Sequence, residues 1–437
     1  MKVAKFWGEC IAMSDDTSEF RANSALSHNI GANNARIVTL DILRGFAVLG
    51  ILAMNIHSFA MPSALMADPQ IGGGNALDNI ISYVIAFVFF EGKMRGLFSL
   101  LFGASMMLFT ERAHAAGQRP VVSQMRRLRW LGIIGLLHMY LIWDGDILFL
   151  YACVGSIAVL LHHWPAKRLI LFAIALMTLG IAVNAGIQAE ETLLEIAIFD
   201  GSATNEQKST HAENGKLTED FAKDEAKMHT LSYPAMVQYR VTEEWWLPAL
   251  YVIFTFLETM PLMMLGIALY KNGFITGAWE TPQYWRISWV YLGAGAIISA
   301  ILVAIIVTND FRPSLTVTIH IVFLMIPQFI MTIGFAALII RWAKHAARSA
   351  LGARIAAIGR MALTNYIMTS VIMTTLFYGY GFALWGKFNL TQLWVFVITA
   401  WLVMLWWSKP WLKRFQYGPL EWAWRSLTKW QLQPMRR

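Results

Sequence analysis

The chain has 437 residues, of which 57% are hydrophobic and 14% charged, and its mean hydropathy is +0.50. This composition excludes an ordinary soluble enzyme, in which roughly a quarter of the residues are charged. The net charge of +8 does not indicate a nucleic-acid partner, because the basic residues lie in short loops between apolar stretches, and two cysteines exclude a disulfide framework or a cysteine metal site.

Ten stretches are apolar enough to cross a bilayer, which requires about 20 predominantly apolar residues in a helix. The sequence therefore predicts an all-α, polytopic membrane helix bundle with about ten transmembrane helices. A further apolar segment, 78–90, could either lie along the membrane interface or extend the second span. The predicted spans are 45–61, 94–110, 130–143, 147–163, 169–188, 247–269, 287–307, 317–340, 361–378 and 392–408.

The distribution of Lys and Arg orients these spans. When they are threaded alternately with the N-terminus inside, 26 of the 35 Lys and Arg residues fall on one side. Cytoplasmic loops carry such an excess, so both termini are predicted to be cytoplasmic. The predicted organisation is a flexible cytoplasmic tail (1–35), an N-terminal bundle (36–188), an extracytoplasmic acidic loop (189–246), a C-terminal bundle (247–408) and a Trp-rich cytoplasmic tail (409–437) that lies on the inner leaflet.

The first span carries polar residues at membrane depth, where ionisable side chains are costly and indicate function. Asp41 and Arg44 lie at its cytoplasmic end, where Arg44 could bind a phosphate or carboxylate, or pair with Asp41. Asn55 follows about 16 Å further along the helix. His57 lies near the outer third of the span. Each of these two could serve a site or hydrogen-bond to a neighbouring helix.

Three charges, Glu91, Lys93 and Arg95, enter apolar sequence at the outer end of the second span. Basic residues on the outer side oppose the usual charge distribution. The sequence therefore predicts compensation by an anionic ligand, a lipid phosphate or acidic partners within the protein.

The densest constellation is GLLHMYLIWDGDIL, which places His138 near mid-membrane and Asp144 and Asp146 in the turn after the third span. A carboxylate can orient a histidine as a general base. His138 and Asp144 are six residues apart, about 9 Å along a helix, so a direct bond requires the turn to fold back. The alternative is a common turn composition without chemistry.

Glu258 is the most isolated acid of the chain, three residues before Pro261. It could carry protons, act as a general acid, or be the buried partner of Arg95 or His138.

Further along the chain, His320 and Gln328 share the eighth span, and Asn365 and Tyr366 begin the ninth. These side chains either line the cavity or hydrogen-bond between helices.

Residues 189–246 form the one long polar insertion, and twelve of its side chains are acidic. The apolar clusters LLEIAIF and MVQY predict short helices with an acidic surface. A loop of this length acts as a lid or partial cover, or else remains mobile.

Several motifs together resemble the YeiB family of bacterial inner-membrane proteins, also known as domain of unknown function 418. The family is grouped with the transmembrane acyltransferases. The resemblance therefore implies a bacterial inner-membrane location and an acyltransferase-3-like bundle around a polar cavity, with an acyl-coenzyme A as donor and no covalently bound cofactor. The motifs are LDILRGFAVLGILAMNI, EGKMRGLFSLLFGAS, HMYLIWDGDIL, LETMPLMMLGIAL, GRMALTNYIMTS, FYGYGFALWGKF and GPLEWAWRSLT, and they cover nearly the whole membrane core.

The resemblance to the O-acetylating acyltransferases departs at one position. Arg44 matches their first-helix Arg, but Asn55 stands where they carry a His eleven positions later. Asn cannot accept a proton near neutral pH, and His57 lies about 200° around the helix from Asn55. The resemblance therefore implies that His138, assisted by Asp144 or Asp146, must act as the base.

Two functions from different classes follow. In an acyltransferase for a glycan or lipid acceptor, Arg44 would bind the donor's phosphates, His138 would deprotonate the acceptor and Asn55 would donate to the oxyanion. In a transporter or lipid-handling protein, the charges at the outer end of the second span and Glu258 would bind a charged solute. Membrane lipid is the expected partner in both, and no metal site is predicted because no His or Cys pair has metal-ligand spacing.

Overall fold

The computed structural model describes residues 38–64, 68–69 and 76–437, and the predicted cytoplasmic tail at 1–35 lies outside them. Among the described residues the secondary structure is helical, with one isolated antiparallel bridge between Phe415 and Arg436. The all-α prediction is confirmed for this part of the chain.

The helices follow one another with short connections. A 3₁₀ turn, Val159–Leu161, extends α5, and a π-helical segment, Ile319–Phe323, follows α11. In chain order the helices are α1 (Val38–Ala60), α2 (Ala76–Phe89), α3 (Lys93–Ala115), α4 (Pro120–Leu141), α5 (Leu148–Ala158), α6 (Ala166–Phe199), α7 (Asn205–Thr230), α8 (Tyr233–Thr242), α9 (Leu247–Lys271), α10 (Thr281–Thr308), α11 (Pro313–Thr318), α12 (Met325–Ala346), α13 (Ala350–Arg360), α14 (Ala362–Phe377), α15 (Leu390–Arg414) and α16 (Pro419–Lys429).

Within the described ranges, six helices are long and apolar enough to span a membrane: α1, α6, α9, α10, α12 and α15. The pair α13 and α14, bent by 79° at its break, would make a seventh. Each of the ten predicted spans overlaps a helix, but α3 and α4 are more polar and α5 is short, so the count of ten stays a prediction. The segment at 78–90 forms the separate helix α2, which packs against α10 and α15.

The bundle has central and peripheral helices. In an apolar 18-residue segment of each helix, 78% of the residues are buried in α1 and 67% in α12. The corresponding shares are 17% in α6 and 22% in α15. A helix that is apolar all round and largely exposed faces lipid, whereas a buried one forms the core. Helices α1 and α12 therefore belong to the core of the bundle, and α6 and α15 lie at its periphery.

Helices α3 and α9 approach each other through a reciprocal glycine contact. A Cβ added at Gly103 would clash with the carbonyl oxygen of Met263, and one added at Gly266 would clash with that of Leu100. Small residues permit such close backbone packing between membrane helices. This contact positions the polar side chains of α3 against those of α9.

The acidic insertion matches the predicted short helices at MVQY, which lies in the ten-residue α8, and differs from them elsewhere. Helix α6 continues to Phe199, and α7 then runs for 26 residues. A capping box starts α7, since the N–H of Gln207 donates to the Thr204 hydroxyl at 3.2 Å and the Thr204 N–H donates to Gln207 Oε1 at 2.9 Å. The capped start and the helix-forming Glu, Lys and Ala residues that follow favour one long helix.

The C-terminal helix α16 docks on the protein itself, against α4 and α14. The Glu421 carboxylate accepts the N–H groups of Leu363 and Thr364 at 2.7 and 3.1 Å, so it caps the start of α14. The Trp424 indole donates to the carbonyl of Arg127 at 2.9 Å.

Candidate functional site

A buried histidine–aspartate pair lies where α4 meets α5. His138 is in the last turn of α4, and its Nδ1 lies 2.8 Å from Oδ1 of Asp146, with 1% and 0% of the two side chains exposed. The second carboxylate oxygen of Asp146 accepts the N–H of Phe149 at 2.8 Å, which caps the start of α5. Gly135, one turn before His138, allows this approach, because a Cβ there would clash with the backbone nitrogen of Phe149.

The hydrogen bonds determine the histidine's tautomer. An ionised carboxylate only accepts hydrogen bonds, so Nδ1 of His138 carries a proton, and when the ring is neutral its Nε2 presents a lone pair. Within the part of the chain that the structure describes, this buried Nε2 has no hydrogen-bond partner. A base oriented by a carboxylate and open at its other nitrogen is the arrangement that deprotonates a hydroxyl nucleophile.

Tyr366 connects this pair to a narrow cavity between α1 and α14. Its ring lies 5.2 Å from that of His138, and its hydroxyl accepts the N–H of Ile147 at 3.4 Å. Tyr366 also lines the cavity that contains Asn55, so two predicted catalytic residues approach the same aromatic side chain. The other lining residues are Val48, Ile51, Leu52, Phe59, Thr369 and Ser370.

A second group of charged side chains, partly buried, lies between α3, α9 and α12. Arg95 donates from Nε and Nη2 to both oxygens of Glu258, at 2.9 and 3.0 Å, and Gln328 donates to Glu258 at 2.6 Å. Of the options that the sequence left open for Glu258, the structure has the pairing with Arg95. Both oxygens of the acid are thus occupied by donors.

Tyr251 lies near both buried pairs. It is within electrostatic range of Arg95 and Glu258 and also of Asp144 and Asp146.

The remaining charges of the second-span entrance gather around Glu91. Lys93 is fully buried and donates to the carbonyl of Phe87 at 2.6 Å. Glu91 is within electrostatic range of Lys93, His57 and His320. Four predicted site residues thus lie together as a cluster of acidic and basic side chains.

Arg44 lies at the other end of α1, where it donates to Asp41 at 3.1 Å and to the Ser105 hydroxyl at 2.6 Å. About a quarter of its side chain is exposed.

Asn365 is occupied by interhelical hydrogen bonds. It donates to the carbonyl of Ile358 at 3.2 Å and to Ser408 at 3.3 Å, and it accepts from the Trp407 indole at 3.1 Å. These contacts match the helix-packing alternative.

Asp144 has partners that the sequence did not suggest. Arg240, from α8, donates to its Oδ1 at 3.0 Å, and the Tyr378 hydroxyl donates to the same oxygen at 3.5 Å. Arg240 is 96 residues away in sequence, so no local pattern predicts this pair. The sequence feature that could have drawn attention to Arg240 is that it is the one Arg among the lysines of the acidic insertion.

Comparison with known proteins places the chain among bacterial relatives. The profile of the family described as "Protein of unknown function (DUF418)" matches residues 269–431. The uncharacterized protein YeiB of Escherichia coli is 30% identical over 401 residues, covering 90% of this chain and 96% of YeiB. The uncharacterized protein YxaH of Bacillus subtilis is 28% identical over 421 residues, covering 92% and 96% of the two chains. No solved structure gives a significant match.

Proposed function

Because the chain belongs to the DUF418 family of YeiB-like proteins, which is described as being of unknown function, we propose its activity from the site: transfer of an acyl group from a cytoplasmic acyl-coenzyme A to a hydroxyl of a glycan or lipid acceptor. The observation that supports this most strongly is the buried His138–Asp146 pair, in which Nε2 of His138 has no hydrogen-bond partner among the residues that the structure describes.

The chemistry requires one proton to move twice. His138 Nε2 takes the proton of the acceptor hydroxyl, and the acceptor oxygen bonds to the thioester carbonyl carbon. When the carbon–sulfur bond of the resulting tetrahedral intermediate breaks, the imidazolium returns the proton to the thiolate. Asp146 stabilises the imidazolium and holds the ring, and the amide of Asn55, in the adjoining cavity, donates to the oxyanion.

The donor's phosphates bind at the cytoplasmic end of the bundle in this proposal. Arg127 lies within electrostatic range of Arg44 and Arg425, so three guanidinium groups, one each on α1, α4 and α16, lie near one another. Guanidinium groups suit bidentate contacts with phosphate oxygens. The partly exposed Arg44 is the one nearest to the path along α1 towards Asn55.

The proposal includes a topology. We infer ten crossings of the bacterial inner membrane with both termini cytoplasmic. Its support is the overlap of every predicted span with a helix and the one-sided distribution of Lys and Arg. In this topology α7 and α8 lie outside and the Arg44 end lies inside.

Transport of a charged solute is the second candidate, and the cluster around Glu91 is the observation that favours it. Four ionisable side chains at the outer end of α3 exceed what helix packing requires. Solute-dependent proton uptake into proteoliposomes that Glu91→Gln abolishes would support this function. Acyl-donor consumption without solute movement would count against it.

The test of acyl transfer uses the purified chain in liposomes of bacterial polar lipid, with radiolabelled acetyl-coenzyme A outside and added lipopolysaccharide oligosaccharide as a second acceptor. We expect label to enter lipid or glycan, and we expect His138→Ala to lower that rate by about 10²–10⁴-fold, the usual contribution of a general base. The matched control is His163→Ala, which changes an exposed histidine. Full activity in His138→Ala, or no donor consumption by the wild type, contradicts the proposal.

A further inference from the structure

A group of polar and aromatic side chains surrounds Tyr378 on the side of the bundle that carries α7 and α8. The His229 ring lies 4.6 Å from that of Tyr378 and stacks on Trp385 at 4.6 Å, with 17° between the planes. The Arg240 guanidinium group lies over the Tyr378 ring, 5.8 Å from its centroid. The N–H of Gly379 donates to the carbonyl of His229 at 2.7 Å, so the end of α7 is bound directly to the segment after α14. We call His229, Arg240, Tyr378, Trp385 and Asp144 the Tyr378 cluster.

The Tyr378 cluster contains several polar atoms without partners in the described residues. Arg240 is 1% exposed and His229 is 5% exposed. Nevertheless Nε and Nη1 of Arg240, Nε2 of His229 and Nε1 of Trp385 make no hydrogen bond, and neither does Oε2 of the nearby Glu244. A buried polar group without a partner is costly, so an occupant should satisfy them.

The unpartnered atoms comprise both donors and acceptors. His229 Nδ1 lies 2.8 Å from the carbonyl oxygen of Glu225, which only accepts, so Nδ1 carries the proton and Nε2 is an acceptor. Burial lowers the pKa of His229, which keeps the ring neutral. Arg240 and Trp385 supply donors, and the carboxylate of Glu244 supplies a further acceptor.

The presence of both unpartnered donors and unpartnered acceptors indicates what kind of ligand the Tyr378 cluster can bind. A phosphate or sulfate would be repelled by the carboxylates of Asp144 and Glu244, and a cation would be repelled by Arg240. A hydroxyl both donates and accepts, so a molecule with several hydroxyls can satisfy both kinds of atom. Trp385 is partly exposed, so its indole ring suits the apolar face of a sugar ring, whereas the Tyr378 ring is buried beneath His229 and Arg240.

We propose that the Tyr378 cluster binds a carbohydrate, as the recognition site of the acceptor. This inference rests on the proposed acyl transfer for its purpose, since it makes the acceptor a glycan or glycolipid. Asp144 is about one-third exposed, so a ligand can reach it. Asp146 follows two residues later, and two residues span at most about 7 Å, so a sugar bound at Asp144 lies next to the catalytic turn.

The experiment measures sugar binding without catalysis. The wild-type chain in lipid nanodiscs is mixed with N-acetylglucosamine, glucose or maltose, and saturation-transfer NMR reports weak binding from the sugar protons. We expect saturable transfer for at least one sugar and about tenfold weaker binding in Trp385→Phe, which keeps an aromatic ring but removes the indole donor. The matched control is Trp245→Phe, which changes a tryptophan that is 67% exposed.

The failure of this inference is distinguishable from failure of the acyltransferase. His138→Ala should bind the sugar like the wild type, because His138 is outside the Tyr378 cluster. Binding that persists in His138→Ala and weakens in Trp385→Phe supports the site even if no acyl transfer is found. Three results would overturn the carbohydrate site. They are no saturation transfer to any of the three sugars, equal binding in Trp385→Phe with an unchanged unfolding temperature, and displacement of the sugar by inorganic phosphate.

Discussion

The His138–Asp146 pair is fully buried and the Arg95–Glu258 pair is partly buried, and both join ionisable side chains inside the bundle. They differ in whether each polar side-chain atom has a hydrogen-bond partner. Both Glu258 oxygens and two Arg95 nitrogens are engaged with each other or with Gln328, whereas Nε2 of His138 has no partner among the described residues. In the proposed function the unfilled hydrogen-bonding position assigns the chemistry to His138, and the fully bonded Arg95–Glu258 pair is assigned a structural role.

The sharpest test of this comparison changes Asp146 to Asn. An amide at this position can present its N–H to His138 Nδ1, which favours the wrong tautomer and leaves Nε2 protonated. We expect acyl transfer to fall by about 10²–10⁴-fold while the fold is retained. The measurement is the initial rate of label transfer together with the unfolding temperature of the purified variant.

A wild-type rate in Asp146→Asn would show that His138 is not used as a base. As a control, Asp144→Asn alters the neighbouring acid, which is paired with Arg240 instead, and we expect it to leave the chemical step intact at saturating acceptor.

The Arg95–Glu258 pair should respond in stability rather than in chemistry. Glu258→Gln leaves Arg95 partly buried without its counter-charge, and we expect a loss of about 3 kcal/mol in the free energy of unfolding. The rate per folded molecule should stay near the wild-type value. Thermal unfolding in detergent, paired with activity normalised to folded protein, separates the two effects.

A double variant sharpens this result. Arg95→Met with Glu258→Leu removes both charges and should recover much of the lost stability, since replacing a buried ion pair by apolar residues is often neutral. If Glu258→Gln instead abolishes turnover without destabilising the chain, the two pairs are functionally alike and the comparison fails.

The ambiguity around His138 shows why the sequence alone could predict only part of the site. Helix geometry could not decide which acid pairs with His138, because Asp144 and Asp146 occupy the same turn. The choice is made by tertiary contacts: Gly135 lets α5 approach α4 beside Asp146, and Arg240 from the distant α8 engages Asp144. Such contacts between residues far apart in sequence leave no local periodicity.

The helices were more predictable than their contacts. Each predicted span overlaps a helix because apolar length is a local property. The pairing of Arg95 with Glu258 was one of several options, since isolated opposite charges in an apolar interior need partners. Which partner each finds depends on packing, here the glycine contact between α3 and α9.

That glycine contact provides the next smaller effect. Gly266→Ala adds a methyl group against the carbonyl of Leu100 and forces α3 and α9 apart. We expect a loss of about 1–3 kcal/mol in the free energy of unfolding, the usual cost of overpacking. Gly293→Ala is the control, because a Cβ there meets nothing within 4 Å. Equal stability of the two variants would show that the contact does not hold the Arg95–Glu258 pair together.

The smallest expected effect concerns His229, which repeats the bonding pattern of His138 outside the membrane spans. Its Nδ1 is bonded to a carbonyl and its Nε2 has no hydrogen-bond partner in the described part of the chain, and burial lowers its pKa below the ordinary value of 6.5. The charged or titratable groups that face the ring are Asp144, Glu225 and Arg240, with the hydroxyl of Tyr378.

Because the folded-state pKa of His229 is depressed, its contribution to stability is complete above pH 6.5 and is lost as the pH falls through the lowered pKa. The slope is at most about 1.4 kcal/mol per pH unit for one proton. We therefore expect hydrogen exchange in residues 205–242 to accelerate between pH 7.5 and 5 more in the wild type than in His229→Asn, which cannot titrate, and sugar binding to weaken over the same interval as Nε2 is protonated. Comparing the two proteins at each pH cancels the intrinsic exchange rate. The same pH response in the wild type and in His229→Asn would assign the change to the carboxylates of α7. His229 would then resemble His138 in its hydrogen-bond geometry but not in its response to protons.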